Sequence, residues 1–265
     1  MSDALFRRSG DKFIPNELGA SPWGPGILHG GPPAGLLAHA IEESKPNPEL
    51  FVARLTIDLF RPVPMAPLAV TTRVVRGGRR IHVVEASLMA DGVEVAQASG
   101  LMLLPNDVEL PPGERWRPES PVGHHALPAT GLGIGNPQSR PARPGFHTTI
   151  EARRAGGGPG SGRHTSWIRI PIPLIEGAEM TPLERTAATA DFGNGLSNIQ
   201  TLDNAGFINA DITLYLHRLP LGEWIGMDAK SIHQSHGLGM IESRLYDEGG
   251  PVGVAVQALL ANRKA

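Results

Sequence analysis

Polar and apolar residues alternate most cleanly between Phe207 and Arg218, F-I-N-A-D-I-T-L-Y-L-H-R. Ile212, Leu214 and Leu216 share one parity, and Asp211, Thr213, Tyr215 and His217 share the other. This is the period-2 pattern of a half-buried strand. Read as one strand, the segment has a counterpart at Arg54 to Arg61, R-L-T-I-D-L-F-R. Superposing the two pairs Thr56 with Thr213, Leu59 with Leu216 and Arg61 with Arg218. Asp211 then falls opposite Arg54, so only one copy carries an acid at this place.

The remaining pattern repeats around these two segments. From Pro32 to Ser44 the apolar residues Leu36, Leu37, Ala40 and Ile41 recur at helical spacing, with two prolines suited to a first turn. Ala34, Gly35 and Ala38 are small, so this helix can be approached closely. Strand-like runs follow at Phe51–Arg61, Pro67–Arg76, Arg80–Met89 and Val93–Leu104, with Gly77-Gly78 and Asp91-Gly92 as turns. Phe13-Ile14-Pro15 reads as a short edge strand. A run at Phe146–Arg153, a Gly-rich loop at Ala155–Gly162 and an alternating run at Thr165–Ile172 lead to a second helix. Thr181-Pro182-Leu183-Glu184 gives that helix an N-cap Thr, an N1 Pro and a capping-box Glu, and it should stop near Gly193 or Gly195. Asp191 and Asn194, one turn apart, either line the cleft or cap the helix end, and capping is the preferred reading. The last four runs are Phe207–Arg218, Trp224–Gln234, Leu238–Asp247 and Val252–Asn262.

The order is helix and four strands, then the same again. Thr56 lies 29 residues before Glu85, and Thr213 lies 29 before Glu242. E-A-S-L-M-A-D-G from Glu85 matches E-S-R-L-Y-D-E-G from Glu242, and Gln97-Ala98 recurs as Gln257-Ala258 if the last hairpin is three residues longer in the second copy. Nine prolines between residues 105 and 145 mark the stretch between the copies as a linker.

Composition narrows the function classes. Net charge is -2, from 24 Lys+Arg and 26 Asp+Glu, so no basic surface for nucleic acid is implied. The absence of Cys excludes disulfides, thiolate metal sites and a Cys nucleophile. No apolar h-region opens the chain, and no run of about 18 apolar residues exists to span a membrane. A cytoplasmic protein is expected.

H-G-G-P-P-A-G-L-L-A-H-A-I-E, L-F-R-P and V-V-R-G-G-R-R in the first half, with A-D-F-G-N-G, A-D-I-T-L-Y-L-H-R, G-E-W and V-A-V-Q in the second, resemble the double hotdog fold, and within it the acyl-CoA thioesterase II type. The resemblance implies an α+β tandem of two halves, each a long central helix wrapped by an antiparallel β-sheet. The N-terminal half would occupy 1–105, the Pro-rich linker 106–145 and the C-terminal half 146–265. It implies hydrolysis of acyl-CoA to free acid and CoA, within fatty acid metabolism, and homo-oligomers through the sheets. Coenzyme A enters only as part of substrate and product, with no separate cofactor. A non-catalytic acyl-CoA- or lipid-binding protein is the alternative. A hotdog hydratase is disfavoured because no D-x-N-P-x-H segment occurs.

In that family an Asp, a Gln and a Thr or Ser of the second half hold the attacking water. The resemblance places these roles on Asp211 and Gln257, with the third left open among Ser231, Ser235 and His233. For the oxyanion, the start of the first helix offers backbone amides at Gly30-Gly31, with His29 orienting the turn or simply buried in it. Thr213 and Tyr215 share the parity of Asp211 and either line the acyl channel or form an ordinary outer sheet face. His233 and His236 have opposite parity on a strand and no acid to complete a ligand set, so no metal is expected.

Overall fold

The computed structural model describes residues 4–112, 119–132, 144–158, 160–199 and 206–262. The first half contains β1 (Phe6–Ser9), β2 (Lys12–Pro15), α1 (Gly31–Glu43), β3 (Phe51–Leu59), β4 (Leu68–Arg76), β5 (Ile81–Ala90) and β6 (Val93–Leu103). The second contains α2 (Phe146–Thr149), β7 (Glu151–Gly157), β8 (Arg163–Arg169), α3 (Pro182–Ala190), α4 (Phe192–Ser197), β9 (Gly206–Asn209), β10 (Asp211–Leu216), β11 (Trp224–His233), β12 (Leu238–Asp247) and β13 (Gly250–Asn262). The pattern of two helix-plus-sheet units is as expected. The edge strand expected at Phe13–Pro15 is β2, and β1 pairs with it as a hairpin partner that the pattern did not reveal. The run at Phe146 begins as the short helix α2 before it becomes a strand.

The strands form one continuous antiparallel sheet in the order β1-β2-β4-β5-β6-β3-β10-β13-β12-β11-β8-β7, with β9 also on β13. The two halves meet at β3 and β10, where Thr56 faces Thr213 and Asp58 faces Asp211. Ile57, Leu55, Ile212 and Leu214 point inward and are buried. Each such side chain contributes roughly 1.5–3 kcal/mol on leaving water. The inner face wraps the helices, and α1 lies against α3.

The small residues of α1 have a packing reason. A Cβ on Gly31 would stand 2.7 Å from the carbonyl of Ala188, and one on Gly35 would stand 3.5 Å from both the Ala188 Cβ and the Glu184 carbonyl. The seam therefore excludes even a methyl group at Gly31, and at Gly35, where a Cβ would also meet Leu174 Cδ1 at 3.1 Å, it leaves no room for a branched side chain. Across it, Glu184 closes the capping box of α3, accepting from Thr181 N at 2.9 Å. The same carboxylate lies 2.8 Å from His39 Nδ1 on α1, and Glu42 of α1 accepts from Thr181 Oγ1.

The described part of the linker is no free spacer. Its residues 119–132 lie on the outer face of β7 and β8, where Val122 accepts from Trp167 Nε1 at 2.7 Å and Arg153 donates to His124 O at 2.8 Å. No helix among the described residues is long and apolar enough to cross a membrane.

Two tests address the helix seam. Gly35→Val should destabilise the protein by about 1–3 kcal/mol through overpacking, read from urea unfolding. The hydrogen bond to Glu184 raises the His39 pKa above 6.5, against the opposing effect of burial. A raised folded pKa gives stabilisation that is complete below the unfolded value and is lost as pH rises through the folded one. The stability gap between wild type and His39→Gln should therefore be larger near about pH 6 than near about pH 9.

Candidate active site

Asp191 sits where α3 hands over to α4, 7% exposed, and its side chain makes no cap bond. Burial alone would raise the pKa of its carboxyl group. Attraction to His29, hydrogen bonds from His29 and Asn209, and the Gly31 amide outweigh that, and the net shift is downward. His29 Nδ1 lies 2.7 Å from one carboxylate oxygen, and Asn209 Nδ2 donates to the other at 2.7 Å. The carboxylate packs on the backbone of Gly30, where a Cβ would stand 2.5 Å from Oδ1. His29 is itself held between aromatic rings, with centroids 5.3 Å from Phe146 and 5.0 Å from Phe192. One half supplies His29 and Gly31, and the other supplies Asp191 and Asn209.

Gln257 of β13 is 1% exposed and points inward beneath α4. Its Oε1 abuts Gly193, two residues on from Asp191, where a Cβ would stand 2.5 Å away. Neither its oxygen nor its nitrogen finds a hydrogen-bond partner among the described residues, and neither does the Ser243 hydroxyl beside it. A buried amide with both groups unpaired is unfavourable by roughly 1–3 kcal/mol per group unless something else satisfies it.

The strand that supplies Asn209 is not one strand. Asn209 faces Leu259 and Thr213 faces Val256, so four steps on one side oppose three on the other. The extra residue is a β-bulge at Ala210. It reverses the parity of everything before it, and Asn209 turns inward while Asp211 turns outward. On the outer face Asp211 accepts from Ala258 N at 2.6 Å and from Thr213 Oγ1 at 3.4 Å. It also faces Asp58, whose pKa is raised by burial and then by the Asp211 charge. Asp211 and Gln257 thus lie on opposite faces of the sheet and cannot hold one water between them.

The other sequence candidates divide in the same way. Ser235 is exposed in the β11–β12 turn. Ser231 points inward, but its hydroxyl is engaged with the carbonyls of Ser197 and Gly162. His233 also points inward, stacks edge-on against Phe207 at 4.4 Å, and has its pKa lowered by burial. Thr213 bonds across to Thr56, and Tyr215 is 52% exposed on the outer face. His29, Gly30 and Gly31 do lie at the site. The Gly31 amide, however, is directed at Asp191, and His29 Nδ1, 3.2 Å away, turns its own proton toward the same carboxylate, so that amide cannot serve as a free oxyanion donor.

The duplication also registers differently from the Gln97 match. Thr56 and Thr213 are 157 residues apart, and the same separation carries the pair Glu85–Ser99 onto Glu242–Val256. With that offset Gln257 corresponds to Gly100 and Asn209 to Val52. Gly100 lies against Ile41 of α1, where a Cβ would stand 2.5 Å from Cγ2. Gln97 instead faces Asp58 on the outer side. The first half has apolar packing where the second has its polar site.

Comparison with known proteins follows the same division. Residues 20–103 match the family model described as acyl-CoA thioesterase N-terminal domain, and residues 120–261 match the C-terminal domain of the same family. No curated protein matches the sequence. Among solved structures, a thioesterase candidate from Novosphingobium aromaticivorans aligns with a TM-score of 0.73 at 19% identity, over 97% of this chain and 98% of its own. A thioesterase II candidate from Thermobifida fusca aligns with a TM-score of 0.71 at 14% identity, over 99% and 96%. A protein of unknown function with a hot dog fold from Alicyclobacillus acidocaldarius aligns with a TM-score of 0.72 at 17% identity, over 99% and 98%. At these identities the structural likeness is one of fold, and that fold is the tandem hotdog.

Proposed function

The chain belongs to the acyl-CoA thioesterase family, and on that premise we propose that the water which cleaves the thioester is activated by Asp191, with the buried amide of Gln257 as its partner. The observation that carries this reading is a buried carboxylate whose pKa three donors hold down, with a buried side-chain amide packed on Gly193, two residues along, that makes no hydrogen bond among the described residues. A base of this kind takes a proton from water within hydrogen-bond reach. The resulting hydroxide attacks the thioester carbon, and the carbonyl oxygen takes the negative charge. The Gln257 NH₂ is the donor available for that oxygen, and its carbonyl is available to hold the water. Collapse expels the CoA sulfur, which takes up the proton lodged on Asp191, giving free acid and CoA thiol. No metal and no covalent enzyme intermediate enters these steps. Asn209 and His29 act through Asp191: they fix the orientation of its carboxylate and oppose the effect of burial.

Asp191→Asn should lower kcat by about 10²–10⁴-fold, while Asp211→Asn keeps hydrolysis close to wild type. The reverse ranking in a CoA-release assay would sink the assignment. Tight acyl-CoA binding without turnover in the wild type would select the binding-only reading. Because the base must be ionised and its pKa is depressed, activity should persist into acid and be lost as pH falls through the Asp191 value. Asn209→Ala removes one of the donors that depress it, so the acid limb of the kcat/KM profile should move to higher pH.

A further inference from the structure

We propose that His124, His125 and Glu248 form a binding site for a divalent transition-metal ion, of which zinc is the fitting example, on the outer face of the second half. Both imidazoles direct Nε2 at the same carboxylate oxygen of Glu248, each at 2.6 Å. Their ring centroids are 3.9 Å apart, and the three ligand atoms lie within 4.8 Å of one another. Two imidazole nitrogens and one carboxylate are the donor set of an open N,N,O site, with room for a water as fourth ligand.

The two sides of this cluster are built and fixed independently. His124 is 4% exposed, stacked on Trp224 at 4.6 Å and set edge-on to Trp167 at 5.6 Å. Its carbonyl is held by Arg153, and Trp167 holds Val122 two residues before it. His125 is 78% exposed, as a ligand at the rim of an accessible site would be. Glu248 stands in the two-residue turn between β12 and β13. Asp247, next to it, locks that turn by accepting from Arg218, from Leu221 N at 2.7 Å and from Gly249 N at 2.8 Å. Ligand bonds of about 2.0–2.1 Å in a tetrahedron set the donors roughly 3.3 Å apart, so Glu248 has to swing outward by under about 1 Å. Its side chain is half exposed and free to do so.

The charges that face the cluster work in both directions. Arg153 lies over Trp224 and opposes a cation, while Glu248 favours one. An ion here would clamp the linker, through His124 and His125, to the β12–β13 turn. It is a structural ion, carried on the sheet face opposite to Asp191.

The test uses metal-free full-length protein titrated with zinc chloride. One zinc ion per chain should bind, measured by calorimetry and by metal analysis after gel filtration. Affinity should fall at least about tenfold in Glu248→Gln and in His125→Ala. Both side chains are solvent-accessible, so these variants should fold and retain basal thioester hydrolysis. Zinc should raise the melting temperature and slow proteolysis within residues 105–145 in the wild type but not in the variants. Absence of saturable binding overturns the proposal. So does equal affinity in the double variant, which would mean an adventitious ion at exposed histidines such as His217 or His236.

Discussion

An ionised carboxylate out of water must be surrounded by donors, and around Asp191 that requirement organises much of the molecule. Its donors come from three places in the chain: the turn before α1, the first residue of α1 and the end of β9. They converge only if α1 and α3 approach closely, which is why glycine stands at position 31, and only if the carboxylate can lie on bare backbone, which is why glycine stands at position 30. They converge only if β9 turns its last residue inward, which the bulge at Ala210 does. Packing and chemistry are therefore the same constraint at this point. A change that separates the helices leaves a buried charge with fewer donors, and an unpaired buried charge is far more costly than a lost apolar contact.

The two halves share a backbone plan but not a chemistry. The junction is symmetric about Thr56 and Thr213, and the strand ladders superpose with one offset. On that common frame the second half places Asn209 and Gln257 where the first places Val52 and Gly100. The first half keeps an apolar interior, with Ile41 occupying the space over Gly100. What it contributes to the site is the edge of its helix, His29 and Gly31. One half thus acts as a wall and donor for the other, and the sheet strands β3 to β6 packed against α1 form that wall.

Much of the scaffold was legible in the sequence. Both helix starts, the capping box at Thr181 and ten strands follow from periodicity and turn residues, because those signals are local. The site was legible only in part. Asp191 stands in a motif that drew notice but was read as a helix cap; its partners lie 162 and 18 residues away in the chain, and no local pattern reveals them. Asp211 drew notice because an unbroken alternation gives it the same parity as Asn209. One inserted residue separates them, and neither hydropathy nor composition marks Ala210 as special. The match of Gln97 to Gln257 failed for a related reason: a short dipeptide identity suggested a three-residue slip that the hydrogen-bonded ladder does not contain. Sequence alternation gives parity within a run, whereas only the ladder fixes phase between runs.

The bulge at Ala210 is also part of the repeat. β3 has the same irregularity, since Val52 faces Met102 and Arg54 faces Leu101, with Ala53 left over. Ala53 and Ala210 occupy corresponding positions. In the second half the bulge aims an asparagine at a carboxylate, whereas in the first it aims a valine into apolar packing and serves no chemistry. The same irregularity at equivalent positions makes the bulge part of the backbone plan that the two halves share, so the turn that delivers Asn209 belongs to the scaffold and only the side chains set on it differ.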